Sequence, residues 1–80
     1  MELNEIINKA VKIAVNPVNH VLSPTLHSLM NLNVTQDGSV SIKHGLILVP
    51  IDVFMFSTFR SYKRRVIINQ SDFTIKQILN

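Results

Sequence analysis

Cysteine is absent from this chain of 80 residues, and glycine occurs only at Gly38 and Gly45. Without cysteine the protein has no disulfide, no thiolate zinc site and no cysteine nucleophile. With so little glycine, the sequence contains no phosphate-binding loop, dinucleotide fingerprint or nucleophile elbow. These absences exclude several common classes of enzyme.

Acidic residues and histidines are few and scattered. Four of the five carboxylates fall where the sequence predicts a helix start or a turn, which gives them local roles. His20, His27 and His44 have no second ligand at the spacing of a metal site. We therefore expect a protein that is not an enzyme and has no catalytic residues, bound metal, cofactor or small-molecule substrate. The histidines retain one use, as titrating groups in a contact that responds to acid.

Charge is also scarce, because charged residues make up 16% of the chain and hydrophobic residues 46%. A chain this short buries only about 60% of its unfolded surface. The apolar excess therefore suggests that another copy, another protein or a lipid headgroup layer covers part of the surface. The alternative is a well-filled core under a polar skin rich in Asn, Ser and Thr. The net charge of +3 favours anionic partners only weakly.

No targeting segment is visible in the sequence. The first residues carry no basic region, and Asn8, Lys9 and Lys12 interrupt the first apolar run, which argues against a secretory signal. Lipidation motifs are missing at both ends. We expect an intracellular or virion location.

The N-terminal stretch predicts a helix over residues 2–15. Its apolar residues follow the three-four spacing of an amphipathic helix, and Asn16 and Pro17 end it. After it comes a connector, in which Ser23 and Pro24 predict the cap and first turn of a short helix through Met30. The apolar positions of the first helix are Leu3, Ile6, Ile7, Ala10, Val11 and Ala14.

Residues 31–43 predict a β-hairpin. Polar and apolar residues alternate on both sides of Asp37 and Gly38, and an Asp-Gly pair between alternating segments is a strong hairpin signal. One face of this hairpin is apolar, and the other carries hydroxyl and amide groups.

The stretch from Gly45 to Arg65 allows three interpretations. A membrane span needs about 20 apolar residues, and the apolar part here is shorter, with Asp52 at its centre. A pair of long strands fits the β-branched and aromatic content, but residues 57–63 contain no Gly, Pro, Asn or Asp to reverse the chain. The third interpretation divides the stretch at Pro50.

In this third interpretation, which we favour, residues 46–49 form a short strand covered on both faces, because all four are apolar. Asp52 then caps a helix over residues 52–65, which places the basic residues near the negative end of the helix dipole. A further short strand follows at 66–69. Ser71 caps a short C-terminal helix over 72–79. The predicted fold is one α+β domain, 1–80, with a small antiparallel or mixed sheet.

A basic cluster ends the favoured helix. Residues three and four apart share a helix face, so these cations would form one ridge able to bind phosphates, with an aromatic ring to stack. The alternative is that they only complement the helix dipole and keep an apolar protein soluble. The candidate residues for an anionic partner are Arg60, Lys63, Arg64, Arg65 and Tyr62.

Three functions follow from these features. The leading hypothesis is a structural or interaction subunit of an oligomer or larger assembly, such as a virion component, because the chain is too short to hide its apolar residues. The alternatives are an accessory nucleic-acid-binding protein and a protein attached to an anionic membrane surface. The expected protein-contact residues are Ile6, Val11, Ile13, Phe54, Phe56 and Phe59.

Overall fold

The computed structural model describes all 80 residues and has an α+β fold with one antiparallel sheet of five strands. Two α-helices and a short 3-10 helix (η1) precede the sheet. The elements in chain order are α1 (Leu3–Ala14), η1 (Pro17–His20), α2 (Leu26–Met30), β1 (Leu32–Gln36), β2 (Ser41–Lys43), β3 (Leu46–Met55), β4 (Arg60–Asn69) and β5 (Ile75–Leu79).

The two long strands, β3 and β4, form the centre of the sheet. They pair over their full ten residues, from Leu46 opposite Asn69 to Met55 opposite Arg60. β5 pairs with the far side of β4, and β1 and β2 both pair with the free side of β3. All pairings are antiparallel, and no crossover helix connects any two strands of the sheet.

One face of this sheet, the inner face, holds the core. Alternate β3 residues lie there and are fully buried, because side chains along a strand point to opposite faces. The α1 helix packs on this face through Ala10 and Ala14, whose small side chains allow close approach. The predicted N-terminal helix is confirmed within a residue at each end. The buried apolar residues are Ala10, Ala14, Leu32, Val34, Ile47, Val49, Ile51, Val53, Val66 and Ile68.

The predicted helix 52–65 is wrong, because this stretch is the hairpin of β3 and β4. The long-strand interpretation holds despite the lack of a turn residue, since Phe56 to Phe59 reverse the chain between the paired Met55 and Arg60. Phe59 takes the left-handed conformation (φ 53°) that the turn requires. The predicted short strands 46–49 and 66–69 are parts of these two long strands.

The predicted hairpin 31–43 is also wrong, because its two halves do not pair with each other. They follow one another along the same edge of β3, with residues 37–40 looping out between them. The Pro50 carbonyl accepts a hydrogen bond from the Asp37 amide at 2.8 Å, so Pro50 directs its backbone toward this loop. The missing N–H of Pro50 therefore costs no ladder bond. Asp37 and Gly38 begin a break in an edge strand.

The tight hairpin lies one element later. His44 and Gly45 connect β2 to β3, and both have positive φ angles of 53° and 74°. Two central residues with positive φ are typical of a type I′ turn, which matches the twist of the strands it joins.

The predicted C-terminal helix 72–79 is strand β5. Asp72 does not begin a helix, because its carboxylate accepts hydrogen bonds from the Thr74 hydroxyl at 2.6 Å and the Thr74 amide at 3.1 Å. These bonds lower the pKa of Asp72 and close a turn around it. Ile75 and Ile78 then bury apolar surface against β4.

The connector before the sheet contains the expected short helix, α2, although Thr25 rather than Ser23 caps it. Thr25 and Ser28 exchange hydrogen bonds in a capping box. No helix in the structure has the length and apolar content needed to cross a membrane.

Candidate interaction surface

The second face of the sheet, the outer face, has no helix on it. It carries the even-numbered residues of β3 and the odd-numbered residues of β4, none of which is fully buried. An antiparallel sheet with one solvated face usually alternates apolar and polar residues. β3 departs from this pattern because it is apolar on both faces over most of its length. β3 therefore presents a row of apolar side chains on a sheet face that no helix covers.

One end of the outer face carries a group of partly exposed apolar side chains, the outer patch. Leu48 lies directly opposite Ile67 at the centre of the group. A shallow depression of about 280 Å³ crosses this region, and its rim includes Lys43 and His44. The outer patch consists of Leu46, Leu48, Pro50, Ile67 and Leu79.

The middle of the outer face holds an ionic group. Lys63 Nζ lies 3.0 Å from Asp37 Oδ2 and 3.5 Å from Asp52 Oδ1. The hydrogen bond to Asp37 raises the pKa of Lys63. Asp52 Oδ1 is shielded from solvent, and the charge of Lys63 is the interaction that compensates its burial. Arg65 lies beside this ionic group on the outer face of β4 and has no carboxylate partner.

The other end of the outer face carries an aromatic cluster, Phe54, Phe56 and Phe59. The Phe54 ring contacts Phe56 and Phe59 edge to face, at centroid distances of 5.1 and 6.2 Å. Phe56 and Phe59 are nevertheless 50% and 81% exposed. A bulky residue with positive φ is strained, so the fold holds Phe59 outward at an energetic cost.

A residue distant in sequence holds the turn that carries this cluster. The Asn31 side chain accepts a hydrogen bond from the Ser57 amide at 2.6 Å and donates one to the Ser57 hydroxyl at 3.0 Å. The Asn31 carbonyl accepts a further bond from the Phe56 amide at 2.8 Å. These three bonds satisfy backbone and hydroxyl groups of the turn from a residue outside it, a role that an Asn side chain within a turn often has.

Both edges of the sheet are interrupted. The first edge breaks at residues 37–40, between β1 and β2. The other edge, β5, contains a bulge in which Lys76 has no partner on β4. Bulges and lysines on edge strands oppose pairing with another chain. Contact through the outer face is therefore favoured over addition of a strand.

The structure divides the predicted basic cluster between two faces. Tyr62 and Arg64 alternate onto the inner side of β4, and Lys63 and Arg65 lie on the outer face. Arg60 lies at the base of the turn, opposite Met55. The single ridge predicted from helical spacing does not form, because it depended on a helix where the chain is a strand.

The expected protein-contact residues also divide into two groups. Ile6, Val11 and Ile13 are partly buried because they pack against the core of their own sheet. The three phenylalanines lie together in the exposed aromatic cluster.

The histidines lie in three separate places: His20 in η1, His27 in α2 and His44 in the β2–β3 turn. No three side chains of His, Cys, Asp or Glu come together as a metal site would require. The link between His20 and Arg64, which are 44 residues apart, was not predicted from the sequence.

Comparison of the chain with models of protein families, with curated proteins and with solved structures finds no match.

Proposed function

We propose that this chain is a non-enzymatic subunit that associates with a second copy of itself through the outer face of its sheet. The observation that carries the proposal is the central strand β3, which is apolar on both faces although helices cover only one of them. Such a strand is typical of a sheet covered on both sides. The second cover is supplied by another copy in this proposal.

The outer face has the dimensions of an ordinary protein interface. Four strand positions about 4.8 Å apart and ten residues of about 3.3 Å each give roughly 600 Å² in projection. The whole molecule measures 38 × 22 × 19 Å, so this face is one of its largest sides. Standard interfaces bury about 800 Å² per partner, and the relief of the side chains adds to the projected area.

The chemistry of the face also suits a protein partner. The outer patch and the aromatic cluster supply apolar anchors at its two ends, and phenylalanine is enriched in the buried core of protein interfaces. In the middle, Asp37 and Asp52 balance Lys63 and Arg65. The middle of the face therefore adds little net repulsion between two copies, and Lys43 at the rim of the outer patch leaves the whole face slightly positive.

The two anionic partners receive less support from this arrangement. A nucleic acid needs several free cations on one surface, but Lys63 is paired with two carboxylates and Arg64 lies on the other face. An anionic membrane could receive Phe56 and Phe59, but only Arg60 accompanies them at the turn. Both remain alternative proposals.

Sedimentation velocity over a range of concentrations tests the self-association. We expect wild-type protein to sediment as a dimer or larger species at micromolar concentration. Leu48→Lys places a charge in the outer patch and should shift the protein to monomer. The matched control is Leu22→Lys, because Leu22 is fully exposed in the connector, and this variant should associate like wild type.

Two results would contradict the proposal: a wild-type protein that stays monomeric at every concentration, or equal association of both lysine variants. Leu48 is partly exposed, so the lysine stem can lie along the sheet, and circular dichroism checks that each variant is folded.

A further inference from the structure

His20 is the one buried polar residue of the structure, with 8% of its surface exposed. It lies at the end of η1, where the chain leaves α1 and passes over the inner face of the sheet. Both of its ring nitrogens have partners. Nε2 lies 2.8 Å from the Ala14 carbonyl oxygen, and Nδ1 lies 3.3 Å from Arg64 Nη1.

These two partners determine the protonation state of the ring. A guanidinium group only donates hydrogen bonds, so Nδ1 must accept from Arg64. A carbonyl oxygen only accepts, so Nε2 must donate to Ala14. The neutral ring with its proton on Nε2 satisfies both bonds. A second proton would sit on Nδ1 and place two cations 3.3 Å apart.

The surroundings of His20 offer nothing to compensate that charge. β4 contributes Arg64 and the titratable Tyr62, whose ring lies 5.0 Å from the Arg64 guanidinium carbon. β1 and β3 contribute the apolar Leu32 and Met55, and α1 contributes a backbone carbonyl. The nearest basic residue of α1, Lys12, is exposed, and no carboxylate bonds to His20.

We propose that His20 and Arg64 form an acid-released clasp that holds η1 and the connector after it against the inner face of the sheet. Protonation of the ring removes the bond from Arg64 and adds repulsion in its place. The guanidinium then has only the Tyr62 ring beside it, since Arg64 Nε is shielded and has no hydrogen-bond partner. The clasp is independent of association through the outer face.

The direction of the pKa shift agrees with this geometry. Burial lowers the pKa of His20 below its ordinary 6.5, the bond to Ala14 opposes this, and the charge of Arg64 lowers it further. The unfolded chain therefore takes up a proton at higher pH than the folded chain. The clasp contributes fully to stability above pH 6.5, and this contribution is lost as the pH falls from there through the folded pKa.

Long-range ¹⁵N–¹H spectra of the histidine rings, recorded from about pH 8 to about pH 5, test the clasp. We expect His20 to be the Nε2–H tautomer, with a titration midpoint below the ordinary histidine pKa of 6.5. After correction for the intrinsic pH dependence of exchange, the protection of the amides from Val18 to Val21 should fall as His20 becomes protonated.

A pair of variants separates the effect of Arg64 from general electrostatics. Arg64→Met keeps the apolar stem and removes the charge, so the His20 midpoint should shift upward. Arg65→Met removes the same charge from the outer face and should leave that midpoint unchanged.

A His20 midpoint at or above 6.5, or equal shifts in the two variants, would overturn the clasp. If Arg64→Met does not fold, the wild-type tautomer still decides, because an Nδ1–H ring cannot accept a bond from Arg64.

Discussion

Gly45 shows how far one backbone position controls the β2–β3 turn. Its φ of 74° belongs to the left-handed region, yet a Cβ built there meets no other atom within 4 Å. A side chain at this position would therefore add backbone strain without a clash. A left-handed residue with a side chain costs about 1–2 kcal/mol.

We accordingly expect Gly45→Ala to lower the free energy of unfolding by about 1–2 kcal/mol, measured by urea denaturation. The neighbouring His44→Asn should leave the protein as stable as wild type or more stable, because Asn tolerates positive φ and His44 is exposed. A Gly45→Ala variant with unchanged stability would mean that the turn does not have this backbone.

Single residues also explain differences between the predicted and the observed fold. The sequence around Pro50 predicts the end of a strand, but Pro50 lies within β3 because the edge chain loops out where its N–H is missing. Asp52 is predicted as a helix cap, but it lies opposite Lys63 on the neighbouring strand. In both cases the residue's role depends on a strand partner, which a local pattern does not identify.

At the scale of elements, the β3–β4 hairpin depends on Asn31. Asn31→Ala should lower the free energy of unfolding by about 1–2 kcal/mol, since it removes two side-chain hydrogen bonds worth about 1 kcal/mol or less each near the surface. Hydrogen exchange at the amide of Ser57 should become faster.

The matched control for this prediction is Asn33→Ala, which changes an exposed asparagine two residues further along the chain. If both variants lose the same stability, the hydrogen bonds to Ser57 do not hold the turn.

The helix α1 could be predicted because its periodicity is a local property of the sequence. The β3–β4 turn could not, because its hydrogen-bond partner Asn31 lies 26 residues away from Ser57. The last segment differs from its predicted helix for a related reason. Ser71 and Asp72 resemble a helix cap, but residues 75–79 form a strand by pairing with β4, and a local pattern does not show that pairing.

For the interaction surface, the sequence indicated the three phenylalanines but not the outer patch. Residues 46–49 predicted a strand covered on both faces, whereas the fold covers only Ile47 and Val49. The α1 residues expected in a contact surface are partly buried against the core of their own sheet. No element of the same chain covers the second face of this strand, although the sequence predicted a cover there.

At the scale of the whole molecule, the proposed self-association depends on the uncovered outer face of the sheet. The ten buried apolar residues lie on the inner face and in α1. The outer patch and the aromatic cluster lie at the two ends of the outer face, with the ionic group between them. The charges in the middle of this face balance and both sheet edges are interrupted, so the proposed second copy packs face to face.

The most direct test is an isotope-filtered NOE experiment on an equal mixture of labelled and unlabelled protein, which detects contacts between copies only. We predict intermolecular NOEs from the methyl groups of Leu46, Leu48 and Ile67 and from the rings of the aromatic cluster, and none from Ala10 or Val49 of the inner face. The absence of intermolecular NOEs at concentrations where the protein is fully soluble, or NOEs confined to residues outside the outer face and aromatic cluster, would contradict the account.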